Sequence, residues 1–377
     1  MASHPSLESL LQERLDRAVG DDQAVHGGVL RVEAPEFGWQ GAAGLADPAA
    51  GVAMRPEDQF QAASITKMLT ATTFMTLVEA GLAELDAAIG RYLPAALTEG
   101  LHDYQGRAYG AQITPRQLLS HTSGVADFFG DGEPGTGGVL PFVAKMRDDP
   151  DRLWDPRDIL AWTKANLRPH FAPGHGWHYA DTGYVLAGLT IEAITGSPLH
   201  QAMRERVLDP LGMHHTYMLF REPARPSLPS REPSVANAGD APYGAQRSVS
   251  ADWGGGGLVV TAAALARFMR AFADDRIFRD PDCRRQMLTW TATGEPGVAY
   301  GLGVRHFALG DLGMRGFGEL WGHTGFIKPF VLYWPEEDAV ICGTLNQSAA
   351  KGAFSQLRPV AALVPAVLQD LRATWRR

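Results

Sequence analysis

Ser64 and Lys67, in the stretch FQAASITKMLTA (60–71), are a hydroxyl and an amine one helical turn apart at the head of an apolar run. Lys67 is one of five lysines, and the other 29 of the 34 basic residues are arginines. A guanidinium keeps its proton in a protein, whereas a desolvated ammonium can lose one. A lysine here therefore reads as an amine kept neutral to take the proton of Ser64. The competing reading is plain: Ser64 caps a helix and Lys67 reaches for solvent. Ser348 and Lys351 repeat the spacing in a polar stretch (NQSAAKG) and read as an ordinary loop or helix start.

Two further segments separate the first pair from the second. They are Tyr179-Ala-Asp181 in GWHYADTGYVLAG and His323-Thr-Gly325 in WGHTGFIKPF. In this order, the serine–lysine pair, the tyrosine and the small-residue tripeptide resemble the serine β-lactamase and penicillin-binding protein superfamily. The nearest look is to class C β-lactamases, the DD-peptidases like them, and their esterase and D-amino-acid amidase relatives. ITPRQLLSHTSGV (113–125), FAPGHGWHYADTGYVLAGLTIEAITG (171–196) and WGGGGLVVTAAALARF (253–268) look like the same family, so the resemblance runs from about residue 25 to 346.

The resemblance implies Ser64 as nucleophile, with Lys67 and Tyr179 sharing proton transfer; which of the two is the base stays open. It implies an oxyanion hole from the backbone N–H groups of Ser64 and Phe326, and substrate contacts from Asp181, His323, Thr324 and Gly325. A cation beside Tyr179 would lower the phenol's pKa, and desolvation would lower that of Lys67. Tyr179 could instead be a core residue between Trp177 and Tyr184. His323, where many β-lactamases carry lysine, would help bind the acyl group or else be a satisfied strand histidine. Asp181 stands where most relatives have Asn. A carboxylate only accepts hydrogen bonds, so Asp181 either favours a substrate ammonium or hydroxyl, or turns away to make a structural bond.

The elements that must position these residues are legible in outline. Leu7, Leu10, Leu11, Leu15 and Ala18 recur at helical spacing behind Ser6, a plausible cap. Residues 27–33 and 36–44 read as a hairpin. Ser64 to Ala80 is apolar or Thr nearly all round, which predicts a buried helix stopped by Gly81. Helices are expected at 114–120, 156–166, 182–195 and 198–208. The stretch 221–247, rich in Pro and Ser, reads as an extended surface loop. Strands are expected at 300–307, 326–334 and 339–346, with a terminal helix at 357–375. Pro329 suits an edge strand, which could pair with substrate.

The fold class is therefore α/β (α+β): an antiparallel sheet flanked by N- and C-terminal helices, with an inserted, mostly helical domain. Residues 1–80 with 250–377 would form the sheet domain and 81–249 the insertion, leaving a cleft between them as the default site.

Other chemistries find little support. The net charge of −8 gives no basic footprint for nucleic acid. Two cysteines, Cys283 and Cys342, suggest neither a disulfide framework nor a zinc site. His170, His175 and His178 lie in a glycine-bearing loop with no carboxylate near in sequence except Asp181, so no metal is expected. Ser120, His121 and Ser123 in HTSG lack an assignable acid, and in the family this turn is structural. Gly254 to Gly257 and DGEPGTGG (131–138) lack the Gly-Lys-Ser/Thr of a phosphate cradle.

Charged residues interrupt the N-terminal stretch, so it does not read as a signal peptide, and no segment is long enough to span a bilayer. The expectation is a cytoplasmic serine hydrolase without cofactor, acting on a small ester or amide. An intracellular esterase, amidase or D-aminopeptidase-like enzyme is favoured over a β-lactamase or DD-carboxypeptidase. A protein that merely binds or senses an acyl ligand would need to keep none of Ser64, Lys67 and Tyr179.

Overall fold

The computed structural model describes residues 6–20, 24–132, 140–238, 241–244, 246–348 and 358–375. Its frame is a nine-stranded sheet, antiparallel throughout. In spatial order the strands are Thr291–Ala292, Val298–Tyr300, Arg305–Ala308, Glu319–Thr324, Pro329–Trp334, Ala339–Thr344, Gly27–Ala34, Phe37–Asp47 and Val52–Ala53. The first strand in sequence thus lies against the last, with Val29 opposite Thr344 and Val32 opposite Ile341.

Side-chain alternation splits the sheet between two cores. Leu30, Val32, Phe330, Leu332 and Ile341 face the N-terminal helix Leu7–Gly20 and the C-terminal helix Arg358–Trp375. Arg14 of the first helix bonds Asp370 of the last at 2.8 Å. Val29, Val331, Val340 and Cys342 face the opposite way, towards the helices Ile65–Glu79 and Ala262–Ala273. That second core continues without a break into the helices of residues 81–213. A helix-flanked antiparallel sheet is the expected fold class.

The helix Ile65–Glu79 is buried almost all round, and Gly81 follows it at φ +70°. Its threonines do not strain that burial. Thr72 and Thr73 donate to the carbonyls of Met68 and Leu69 at 2.8 Å. Thr70 donates to Gly254 O at 2.8 Å, and Thr66 Oγ1 accepts from Leu258 N at 3.2 Å. These last two bonds stitch the helix to the start of the glycine run 254–257 and to Leu258, which follows it.

Four expectations are corrected. The segment 300–307 is not one strand: residues 301–304 turn the chain at Gly303, φ +74°, between the paired strands Val298–Tyr300 and Arg305–Ala308. The strand beginning at Pro329 is interior, between Glu319–Thr324 and Ala339–Thr344. Proline is tolerated there as the first strand residue. The segment 221–247 is no mere surface loop: Ser234, Ala236 and Asn237 are buried, and strands form at Ala236–Ala238 and Ala241–Tyr243. The helix at 198–208 divides into Leu199–Met203 and a π turn, Arg204–Leu208. Lys351, Leu357 and most of the loop 131–138 lie outside the described residues.

Candidate active site

Ala63, at φ +42°, swings the chain from the short strand Phe60–Gln61 into the buried helix. Ser64 stands at the N-cap, but its side chain makes no capping bond. Its hydroxyl is not spent on the helix, and Ser64 is partly exposed where residues 65–75 are all buried. Lys67 Nζ lies 3.1 Å from Ser64 Oγ and 2.9 Å from Gly255 O, and it forms an ion pair with Asp181 Oδ1. Three N–H donors thus meet three acceptors in a site where Lys67 has no exposed surface.

This environment overturns the neutral amine. Burial disfavours the charge on Lys67, but Asp181, Tyr179, Asp252 and Tyr300 outweigh it and raise the pKa above the ordinary lysine range. The ammonium is therefore the resting form. Tyr179 does not become an easy phenolate either. Burial pushes its pKa up, and the opposing pull of Lys67 and Arg305 does not restore it. The hydroxyl is buried without a hydrogen-bond partner among the described residues, while Lys67 Nζ lies 4.9 Å from the ring centroid.

Asp181, the first residue of the helix Asp181–Thr195, is fixed by Asp127, whose Oδ1 accepts from the Asp181 backbone N–H at 2.9 Å. Of its two readings, the structural bond is present, and its target is the candidate amine. Glycines make the approach possible. A Cβ on Gly255 would come within 2.6 Å of Asp181 Oδ1 and 3.5 Å of Lys67 Nζ. A Cβ on Gly256 would overlap Asp252 Oδ2 at 1.9 Å. Burial, then the charge of Asp181, raise the carboxyl of Asp252 to about 7.

The tripeptide reaches the same place. His323 and Thr324 end the strand Glu319–Thr324, whose pairing with Arg305–Ala308 stops at Gly322. A Cβ on Gly325 would meet Ala63 Cβ at 2.8 Å, so this strand end lies against the turn that carries Ser64. The backbone N–H groups of Ser64 and Phe326 have no hydrogen-bond partner among the described residues. Thr324 Oγ1 is likewise buried and unpartnered.

His323 is not free to touch substrate. Its Nδ1 donates to Thr324 O at 2.7 Å, and its Nε2 is 2.8 Å from the Tyr300 hydroxyl. With Nδ1 carrying the proton, Nε2 accepts from Tyr300. Burial, Arg305 and Lys67 hold the imidazole neutral, well below the usual pKa. The satisfied strand histidine is the reading that fits. His121 of HTSG is also a support: its Nδ1 accepts from Ala180 N at 3.1 Å, and its ring lies 4.2 Å from that of Tyr179.

Four contributors were not legible in the sequence. Asp252 and the glycines carry no motif tied to chemistry. Tyr243 packs near Ala63 and Ile327 and sets its ring 6.1 Å from that of exposed Phe326. Arg305 is buried with its guanidinium 5.3 Å from the Tyr179 ring centroid. It forms no ion pair among the described residues, and its Nε lacks any partner. A lone arginine among 29 gives no signal of this.

A serine freed at a helix start, a lysine and tyrosine beside it, and two open N–H groups define the class of serine acyl-transfer sites. The chain belongs to the beta-lactamase family, whose model matches residues 12–365. It is 28% identical over 270 residues to Penicillin-binding protein 4 of Amycolatopsis lactamdurans, covering 71% of this chain and 65% of that one. It is 32% identical over 227 residues to Esterase EstB of Burkholderia gladioli, covering 59% of this chain and 55% of the esterase. The chain thus spans less than two thirds of these two relatives. The D-amino acid amidase of Ochrobactrum anthropi SV3 superimposes with a TM-score of 0.79 at 26% identity, over 98% of this chain and 99% of the amidase.

Proposed function

We propose that this protein hydrolyses a small ester or amide through an acyl-enzyme on Ser64, as an esterase or amidase of the D-aminopeptidase-like kind. The observation that carries the reading is the triple engagement of Lys67 with Ser64 Oγ, Asp181 and Gly255 O. Full-length likeness to a D-amino acid amidase supports the substrate class.

An ammonium cannot accept the serine proton, so the step needs a relay. As Ser64 Oγ bonds to the substrate carbonyl carbon, its proton passes to Lys67 while Lys67 hands one to Asp181. Lys67 stays an ammonium and Asp181 becomes a neutral acid, so the negative charge moves from Asp181 to the oxyanion and the net charge of the site is unchanged, which a low-dielectric site tolerates. The N–H groups of Ser64 and Phe326 take the developing oxyanion. Tyr179, a neutral phenol beside Lys67, protonates the leaving alkoxide or amine and regains a proton from the Lys67–Asp181 pair. Water then cleaves the acyl-enzyme by the reverse path.

One observation favours a second reading within the family, a β-lactamase or DD-carboxypeptidase. The unpaired guanidinium of Arg305 behind Tyr179 suits a substrate bearing a carboxylate. The test is turnover on a panel of p-nitrophenyl esters, D- and L-amino-acid amides, D-Ala-D-Ala peptides and penicillins. Turnover of neutral esters or D-amides above the others supports the first reading. Turnover confined to penicillins or peptides with a free C-terminus replaces it with the second, and no turnover on any class refutes both.

A further inference from the structure

Asp131 comes from the turn after Ala126 and His170 and His178 from one loop, two stretches that no sequence pattern joins. His170 Nε2 lies 2.7 Å and His178 Nε2 3.1 Å from the same oxygen, Asp131 Oδ2. The two rings face each other with centroids 3.6 Å apart and planes tilted by 32°. One candidate ligand atom from each residue lies within 4.8 Å of the others. The expectation of no carboxylate beside this loop except Asp181 is therefore corrected: Asp131, 39 residues before His170, meets it.

The hydrogen bonding is crowded for a metal-free cluster. Asp131 Oδ2 also accepts the backbone N–H of Asp127 at 2.7 Å. Three nitrogens thus converge on one carboxylate oxygen, which offers about two lone pairs. A divalent cation relieves this, because metal-bound imidazole turns a lone pair, not a proton, towards the centre. Two imidazoles and one carboxylate suit a borderline ion such as Zn²⁺, with a position left for water. Bonds of roughly 2.0–2.2 Å put tetrahedral ligand atoms about 3.4 Å apart, so the His170 contact needs to open by about 0.7 Å and the His178 contact by about 0.3 Å. The histidine side chains are 38% and 25% exposed, which leaves a path from solvent.

We propose that Asp131, His170 and His178 bind one Zn²⁺ ion, and that the ion is a clamp rather than a catalyst. His178 precedes Tyr179, and its backbone N–H donates to His121 O at 2.9 Å. Asp127, which shares the Asp131 turn, fixes Asp181. A bound ion would fasten the 170–178 loop, which leads into Tyr179, to the turn that holds Asp181.

The test is calorimetric titration of chelator-stripped protein with Zn²⁺, with Co²⁺ absorption as a second readout. One saturable site per chain is expected, with a higher melting temperature in Zn²⁺ and visible Co²⁺ bands. His170→Ala and Asp131→Asn should each weaken binding tenfold or more, whereas His175→Ala, on the same loop, should not. Melting curves in chelator show whether each variant is folded, and exposed His170 remains a valid test should Asp131→Asn unfold. Absence of a saturable site overturns the proposal. So does binding that survives His170→Ala, or that His175→Ala removes.

Discussion

Two buried cations flank Tyr179, and they are treated in opposite ways. Lys67 Nζ, 4.9 Å from the ring centroid, has an acceptor for each of its three protons. Arg305, 5.3 Å from the same centroid, has no ion-pair partner among the described residues. An unpaired buried charge is costly, so a chain that satisfies one cation completely and leaves the next unmet points to different tasks. Lys67 carries its counter-charge within the fold, which is what the proposed proton relay requires. Arg305 has the π face of Tyr179 and no counter-charge among the described residues.

Replacing Lys67 should break the comparison most severely. Lys67→Arg keeps the charge but fits neither the three-acceptor geometry nor the relay, since guanidinium holds its proton. It should lower kcat by ~10²-fold or more, the scale of losing general-base catalysis, and nearly as much as Lys67→Ala. An arginine variant that keeps most of the turnover would reduce Lys67 to electrostatic support.

Asp181→Asn strips Lys67 of its counter-charge and so makes it resemble Arg305. Breaking a buried pair from one side costs roughly 3 kcal/mol or more, so the melting temperature should fall. Turnover of all substrates should fall together near pH 7. The Lys67 pKa drops without Asp181, so the variant's activity should climb with pH as the amine becomes neutral. A loss confined to substrates with a free amino group would instead make Asp181 a substrate-binding residue.

Arg305→Gln should sharpen the contrast by acting selectively. If Arg305 receives an anion, kcat/KM for carboxylate-bearing substrates should fall about ten- to a hundredfold, the worth of one charged hydrogen bond. Neutral esters should be little changed. An equal loss on both would mean that Arg305 only supports Tyr179.

The smallest effect concerns Asp252. Its folded carboxyl titrates at about 7, above its ordinary value near 3.8. Between those values the folded chain holds a proton that the unfolded chain has released, so this group's contribution to stability falls as pH rises. Asp252→Asn should raise the melting temperature more at pH 8 than at pH 5. A gain of equal size at both pH values would exclude that titration as the cause.

How much of this was legible depended on distance along the chain. Ser64 and Lys67 lie one turn apart, so spacing alone placed them together. The buried helix and its glycine stop followed from local pattern. Asp181 lies 114 residues from Lys67, and its contact could be offered only as one of two orientations. The neutral amine failed for that reason: the lysine's counter-charge was in view, but its direction was not. His323 could be offered only as a substrate contact or a satisfied strand histidine, because its partner, Tyr300, belongs to a hairpin that read as one strand. Asp131 lies 39 residues before His170, and no short-range pattern links them.

The most direct measurement is intact-mass and peptide mapping of the acyl-enzyme trapped from a p-nitrophenyl ester or a D-amino-acid amide, in parallel with Ser64→Ala. One acyl group per chain, carried on the peptide containing Ser64 and absent from a folded Ser64→Ala variant, is the expected result. An acyl group on Ser123 or Ser348, or one that persists in the variant, would contradict the assignment of Ser64 as nucleophile.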